Sequence, residues 1–153
     1  MKTFLTALFF LLLLGGCAEK NAFSRFDINE KQEIALNALQ SSKIQDENSV
    51  NGVVTVVYLN QVEPEKFKNS EVFYVFMYLK DNSMPVNFIL NDEAPIFSVK
   101  ELTQYNEFTY LTATDTPWNK YFLVTFAKQG DILKFKVKND KYSSQEMVFE
   151  KDE

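Results

Sequence analysis

A chain of 153 residues, 46% of them hydrophobic and including 15 Phe and 7 Tyr, holds the material for one domain with a sizeable aromatic core. Its formal net charge of −5 makes nucleic acid and anionic lipid poor partners. The chain has no histidine, which removes Ser-His-Asp and Cys-His nucleophile arrangements and His-based zinc sites, and its 4 glycines cannot build a Gly-rich phosphate loop.

At the N-terminus, Lys2 precedes an apolar run from Phe4 to Leu14, followed by small residues before Cys17, the only cysteine. A positive start, a short apolar core and small residues before a cut site form a secretory signal peptide, and that core is too short to span a bilayer. The segment Leu14-Gly15-Gly16-Cys17 resembles the lipobox of bacterial lipoproteins. The resemblance implies diacylglycerol on the Cys17 sulfur, cleavage before Cys17 and acylation of the new amine, a covalent lipid rather than a cofactor. Cleavage would leave 137 residues and remove Lys2, so that the net charge falls to −6. With the Cys17 sulfur consumed, no disulfide can form, and stability rests on the core.

Residues 1–16 are thus expected to be the signal peptide, 17–26 a lipid-anchored tether, and 27–153 a helix plus a β-sandwich. The nine residues after Cys17 span about 30 Å when fully extended, which keeps the domain near its membrane. Asp27 followed by Glu30 predicts a capping box and a helix over 28–41, with Ile28, Ala35, Leu36 and Leu39 on one face and Ile34 and Ala38 widening it.

From Val50 onward, β-branched and aromatic runs alternate with turn residues. Strands are predicted at 52–60, 72–80, 86–90, 96–101, 106–112, 121–128, 133–138 and 145–149. The first two are apolar on both faces and are expected side by side in the core. Gln129-Gly130 predicts a tight hairpin between the strands flanking it. The fold class that follows is mainly β: a two-layer antiparallel sandwich, immunoglobulin-like or transthyretin-like, with one N-terminal helix.

Several side-chain groups carry functional readings. Lys134, Lys136 and Lys138 form a comb on one strand face; they either recognise an anionic partner or guard a sheet edge. Asp81-Asn82-Ser83 and Asn91-Asp92-Glu93 offer calcium-type oxygens or ordinary Asx turns. Asp92, Glu93 and Glu107 are the candidate acid/base carboxylates. The loop Thr114–Lys120 carries Trp118, the only tryptophan, which either anchors a partner or folds back as a plug over the end of the sandwich. Tyr105, Tyr110 and Tyr121 would extend a patch around it.

The order of lipobox, short tether, helix and sandwich resembles small envelope lipoproteins of Gram-negative bacteria. Val56-Val57-Tyr58-Leu59, Phe67 and Val72-Phe73-Tyr74 are similar in texture to the outer-membrane lipoprotein of type VI secretion systems, a transthyretin-like sandwich carrying a helix. The lipoprotein resemblance implies outer-membrane placement, since Ala18 rather than aspartate follows the cysteine. The expectation is a non-enzymatic, membrane-anchored envelope lipoprotein that binds another envelope protein as an anchor, assembly factor or part of a larger apparatus. Trp118, Tyr121, Lys134, Lys136 and Lys138 are the candidate contacts. The second reading is a periplasmic carrier or sensor of a small apolar ligand.

Overall fold

The computed structural model describes residues 29–151 apart from Asn82 and Met84. The signal peptide, Cys17 with its lipobox, the tether over 17–26 and the cap expected at Asp27 lie outside the described residues. The helix α1 runs Glu30–Asn37 and is capped by Asn29. The Asn29 side chain accepts from the Gln32 N–H at 3.2 Å, and the Gln32 side chain accepts from the Asn29 N–H at 2.9 Å. The helix stops short of residue 41 because Leu39 already opens a strand. That strand, β1 (Leu39–Gln45), pairs along its whole length with β2 (Val50–Tyr58). The expected helix face is also narrower: Ala35 and Ala38 are buried, whereas Leu36 is half exposed.

After β2 come two single turns of helix, α2 (Leu59–Val62) and α3 (Pro64–Phe67), and then β3 (Glu71–Leu79), β4 (Asn87–Leu90) and β5 (Ile96–Leu102). A further turn, α4 (Thr109–Thr112), precedes β6 (Lys120–Phe126), β7 (Ile132–Lys138), β8 (Ser143–Ser144) and β9 (Met147–Glu150). These strands form one antiparallel sheet in the order β4-β7-β8-β1-β2-β3-β6-β5, with β9 added beside β7. The central strands β2 and β3 pair from Gly52↔Leu79 to Tyr58↔Phe73, side by side as expected.

The sheet curls so that its β4-β7-β9 part faces its β3-β6 part, and the two layers of the sandwich belong to one hydrogen-bonded surface. Rings fill the space between them. Phe73 meets Phe135 at 4.8 Å, Phe88 meets Phe122 at 5.3 Å, and Phe126 meets Phe135 edge-on at 5.9 Å between centroids. Burying each such side chain contributes about 1.5–3 kcal/mol. A second apolar cluster lies on the outer face, where Val57, Tyr74, Phe76 and Tyr121 pack under Ala35, Leu59, Phe108 and Leu111. Strand β3 therefore has a core on each side, the physical reason for its unbroken apolar sequence from Val72 to Leu79.

Two expected elements differ. The strand expected at 106–112 is a capped turn followed by α4. The Asn106 side chain accepts from the Phe108 N–H at 2.9 Å, and Thr109 Oγ1 accepts from the Asn106 N–H at 3.1 Å, which closes the chain locally and turns Phe108 and Leu111 into the outer core. Gln129-Gly130 is no hairpin. Strand β6 pairs with β3 and β5, while β7 pairs with β4, β8 and β9, so this segment crosses from one layer to the other, and Gly130 has no positive φ.

Candidate functional site

Trp118 stands in the loop between α4 and β6 with 68% of its surface exposed, so it does not plug the sandwich. The loop leaves α4 through Ala113 in the left-handed region (φ 50°) and is pinned twice. The Tyr121 hydroxyl donates to the Thr116 carbonyl at 2.9 Å, and the Gln104 side chain donates to the Asp115 carbonyl. Tyr121 is only 1% exposed and belongs to the outer core. It cannot touch a partner and instead holds the Trp118 loop from beneath, which corrects the expected patch. Tyr105 and Tyr110 are exposed.

The lysine comb also changes meaning. Leu133, Phe135 and Val137 point into the inner core as the alternation requires, but β7 is an interior strand, so edge protection does not apply. Lys134 and Lys136 share one carboxylate, Glu146, at 3.8 and 3.2 Å, which reduces the field they offer an anion. Lys138 is exposed.

In each acidic turn one side chain, Asp81 or Asn91, is spent on holding the backbone. Asp81 Oδ1 accepts from the Ser83 N–H at 2.9 Å and the Ser83 hydroxyl at 2.6 Å, and these bonds hold its carboxyl below the usual range. Asn91, at φ 46°, spends its side chain on β7: its Oδ1 accepts from the Lys134 N–H at 2.8 Å and its Nδ2 donates to the Ile132 carbonyl at 3.2 Å. Glu107 pairs with Lys66 at 3.3 Å beside α3, on the helical side of the sheet. Among the described residues, no group of three or more His, Cys, Asp or Glu side chains could hold a metal ion.

Two features stand out that sequence reasoning missed. The first is the end strand β5. Residues Ile96 to Glu101 are all exposed, including Ile96, Val99 and Phe97, the last at 64%. The strand pairs with β6 on one side, with a bulge between Ile96 and Ser98; among the described residues its other side has no strand partner, and its exposed side chains mix Ile96, Phe97 and Val99 with Ser98, Lys100 and Glu101.

The second is Glu71, fully buried at the start of β3. Its Oε2 accepts from the Tyr58 hydroxyl at 2.6 Å, and its Oε1 accepts from the Gln129 N–H at 2.9 Å and from Lys151 Nζ at 2.7 Å. Lys128 Nζ approaches to 3.8 Å, and Lys151 also donates to the Gln129 carbonyl at 2.7 Å. Burial pushes the Glu71 carboxyl up, but the bonds from the Gln129 N–H, Lys151 and Tyr58 outweigh it and hold the group below its usual range, charged. The same cluster raises the Tyr58 phenol, through burial first and then the neighbouring Glu71 charge, and keeps it neutral.

Next to this cluster opens a cavity of about 420 Å³ whose walls include Lys68, Lys128 and Lys151. Set against known proteins, the chain matches no family model, no curated protein and no solved structure. Function must therefore be argued from these sites.

A signal for Glu71 does exist in sequence. Carried one residue before the strand expected at 72–80, the alternation puts 71, 73, 75, 77 and 79 on one face, so Glu71 falls on the face that carries Phe73 and Val75 into the core. A charge on a buried phase requires partners.

Proposed function

We propose that this protein is a non-enzymatic lipoprotein, anchored through Cys17, whose sandwich holds another envelope protein close to the membrane. The observation that carries the reading is the β5 edge with Ile96, Phe97 and Val99, uncovered among the described residues. A sheet edge presents unpaired backbone N–H and C=O groups, and an extended segment of a partner can add to it as a further strand, with main-chain bonds giving affinity and flanking apolar residues giving selectivity. Trp118 offers a second exposed aromatic of the kind that anchors interfaces. Signal peptide, lipid anchor and outer-membrane placement rest on the lipobox resemblance and on Ala18. Among the described residues, no helix is long and apolar enough to cross a membrane.

The carrier reading has less to draw on. Rings occupy the inner core, and the described cavities open at the surface beside polar and charged side chains.

The test is photo-crosslinking in cells with the reactive side chain at position 97 or 99, followed by mass spectrometry. A single recurring envelope protein captured from both positions, but not from position 148 on β9, is the expected outcome. Capture of the uncrosslinked monomer alone would count against the reading.

A further inference from the structure

Three lysines distant in sequence converge on one cavity. Lys68 follows α3, Lys128 lies in the crossing from β6 to β7, and Lys151 follows β9; all line the same space of about 420 Å³. In a chain with a net charge of −5, this concentration of cations runs against the overall balance.

Much of the amide capacity in the wall is already committed. The Asn60 amide donates to the Phe67 and Ser70 carbonyls at 2.8 and 2.6 Å, and its Oδ1 accepts from the Val72 N–H at 2.9 Å. The Gln61 amide donates to the Glu150 carbonyl at 3.0 Å. The charged donors that remain to meet a ligand are the ammonium N–H groups.

Lys128 and Lys68 stand 3.8 Å from Glu71 and 3.9 Å from Glu65, ion-pair distances that soften their field as Glu146 softens that of Lys134, but beyond hydrogen-bond length, so their N–H donors stay open. Lys151 is held in place by two bonds of 2.7 Å and has a third N–H to give. Among the described residues Glu65 is the only acid in the wall itself, and its side chain is almost fully exposed; Glu71 sits buried behind the wall, where it fixes Lys151.

We propose that this cavity binds a small ligand through an oxyanion, a phosphate or a carboxylate, with Lys68, Lys128 and Lys151 as its donors. The volume falls within the range of small-molecule sites, about 300–1,000 Å³. The proposal does not depend on the β5 edge.

The test uses the full chain in detergent, titrated by calorimetry at fixed ionic strength with inorganic phosphate, succinate and glycerol 3-phosphate. Saturable binding of phosphate or succinate is expected, weakened about fivefold by Lys68→Gln and by Lys128→Gln, the upper range for a solvent-exposed ion pair. Lys134→Gln should leave it unchanged. Both test lysines are half or more exposed, so the variants should melt like the parent. Tighter binding of glycerol 3-phosphate than of inorganic phosphate would support the proposal and point to a lipid headgroup as the source; equal binding would support it and point to a free anion. Absence of saturable binding, or binding that neither variant weakens, would overturn it.

Discussion

Replacing Glu71 by Gln keeps the shape of the buried side chain and removes its charge. The carboxamide oxygen can still accept from the Gln129 N–H and Lys151, while its NH₂ faces the Tyr58 hydroxyl, so the bonds from Gln129 and Tyr58 become neutral ones and Lys151 keeps a charged donor on a neutral acceptor. A hydrogen bond to a charged group contributes about 1.5–3 kcal/mol against about 0.5–1.5 for a neutral one, so Glu71→Gln should cost about 2–3 kcal/mol. That is a large part of a typical total of about 5–15 kcal/mol. The folded carboxyl lies below its ordinary range, so its stabilisation is fully present above the unfolded value, about 4.3, and is lost as pH falls through the folded value. Urea melts of parent and variant at pH 7, 5, 4 and 3 should show the gap at neutral pH and its closure in acid. A variant as stable as the parent at pH 7, or a gap that stays constant down to pH 3, would refute the reasoning.

Other substitutions probe separate features. A Cβ at Gly52 would stand 2.1 Å from the Tyr78 carbonyl oxygen, so Gly52→Ala must push β2 from β3; a loss of about 1–3 kcal/mol in denaturant melts is expected. Tyr121→Phe removes one bond to the Thr116 carbonyl and should cost about 1 kcal/mol, with faster amide exchange in the 113–119 loop as the readout. Trp118→Ala, at an exposed site, should change stability by less than about 0.5 kcal/mol while reducing partner capture in the crosslinking assay. Cys17→Ser should leave the protein soluble or unprocessed on cell fractionation, and a normally membrane-bound product would sink the lipobox assignment.

Strands buried on both faces and strands with one wet face were legible in the sequence, since β2 and β3 read as apolar runs and Leu133, Phe135 and Val137 alternate cleanly with lysines. Strand β1 was hidden because Leu39–Gln45 is largely polar and buries only Ile44 fully; its strand state comes from seven pairings with β2 that no local pattern announces. The crossing at Gln129-Gly130 was misread for a related reason. Neighbouring strands joined by a glycine look like a hairpin, and only the curl of the whole sheet separates them. Trp118 was found by its rarity, but its exposure was not, because a loop tryptophan beside a proline fits both states. Glu71 escaped notice because its partners are remote, and its cavity with it, since Lys68, Lys128 and Lys151 share no sequence neighbourhood.

Glu71 also sets a clock on assembly. Its partners Gln129 and Lys151 follow it by 58 and 80 positions, and Ile44 of β1 waits for Ser144 of β8 before the two parts of the sheet are joined. A chain emerging residue by residue therefore carries an unjoined sheet until Ser144 has emerged, and Glu71 without its closest counter-ion until Lys151 has. Polypeptides ending before Lys151 are therefore expected to be softer targets for proteases and chaperones than the longer chain.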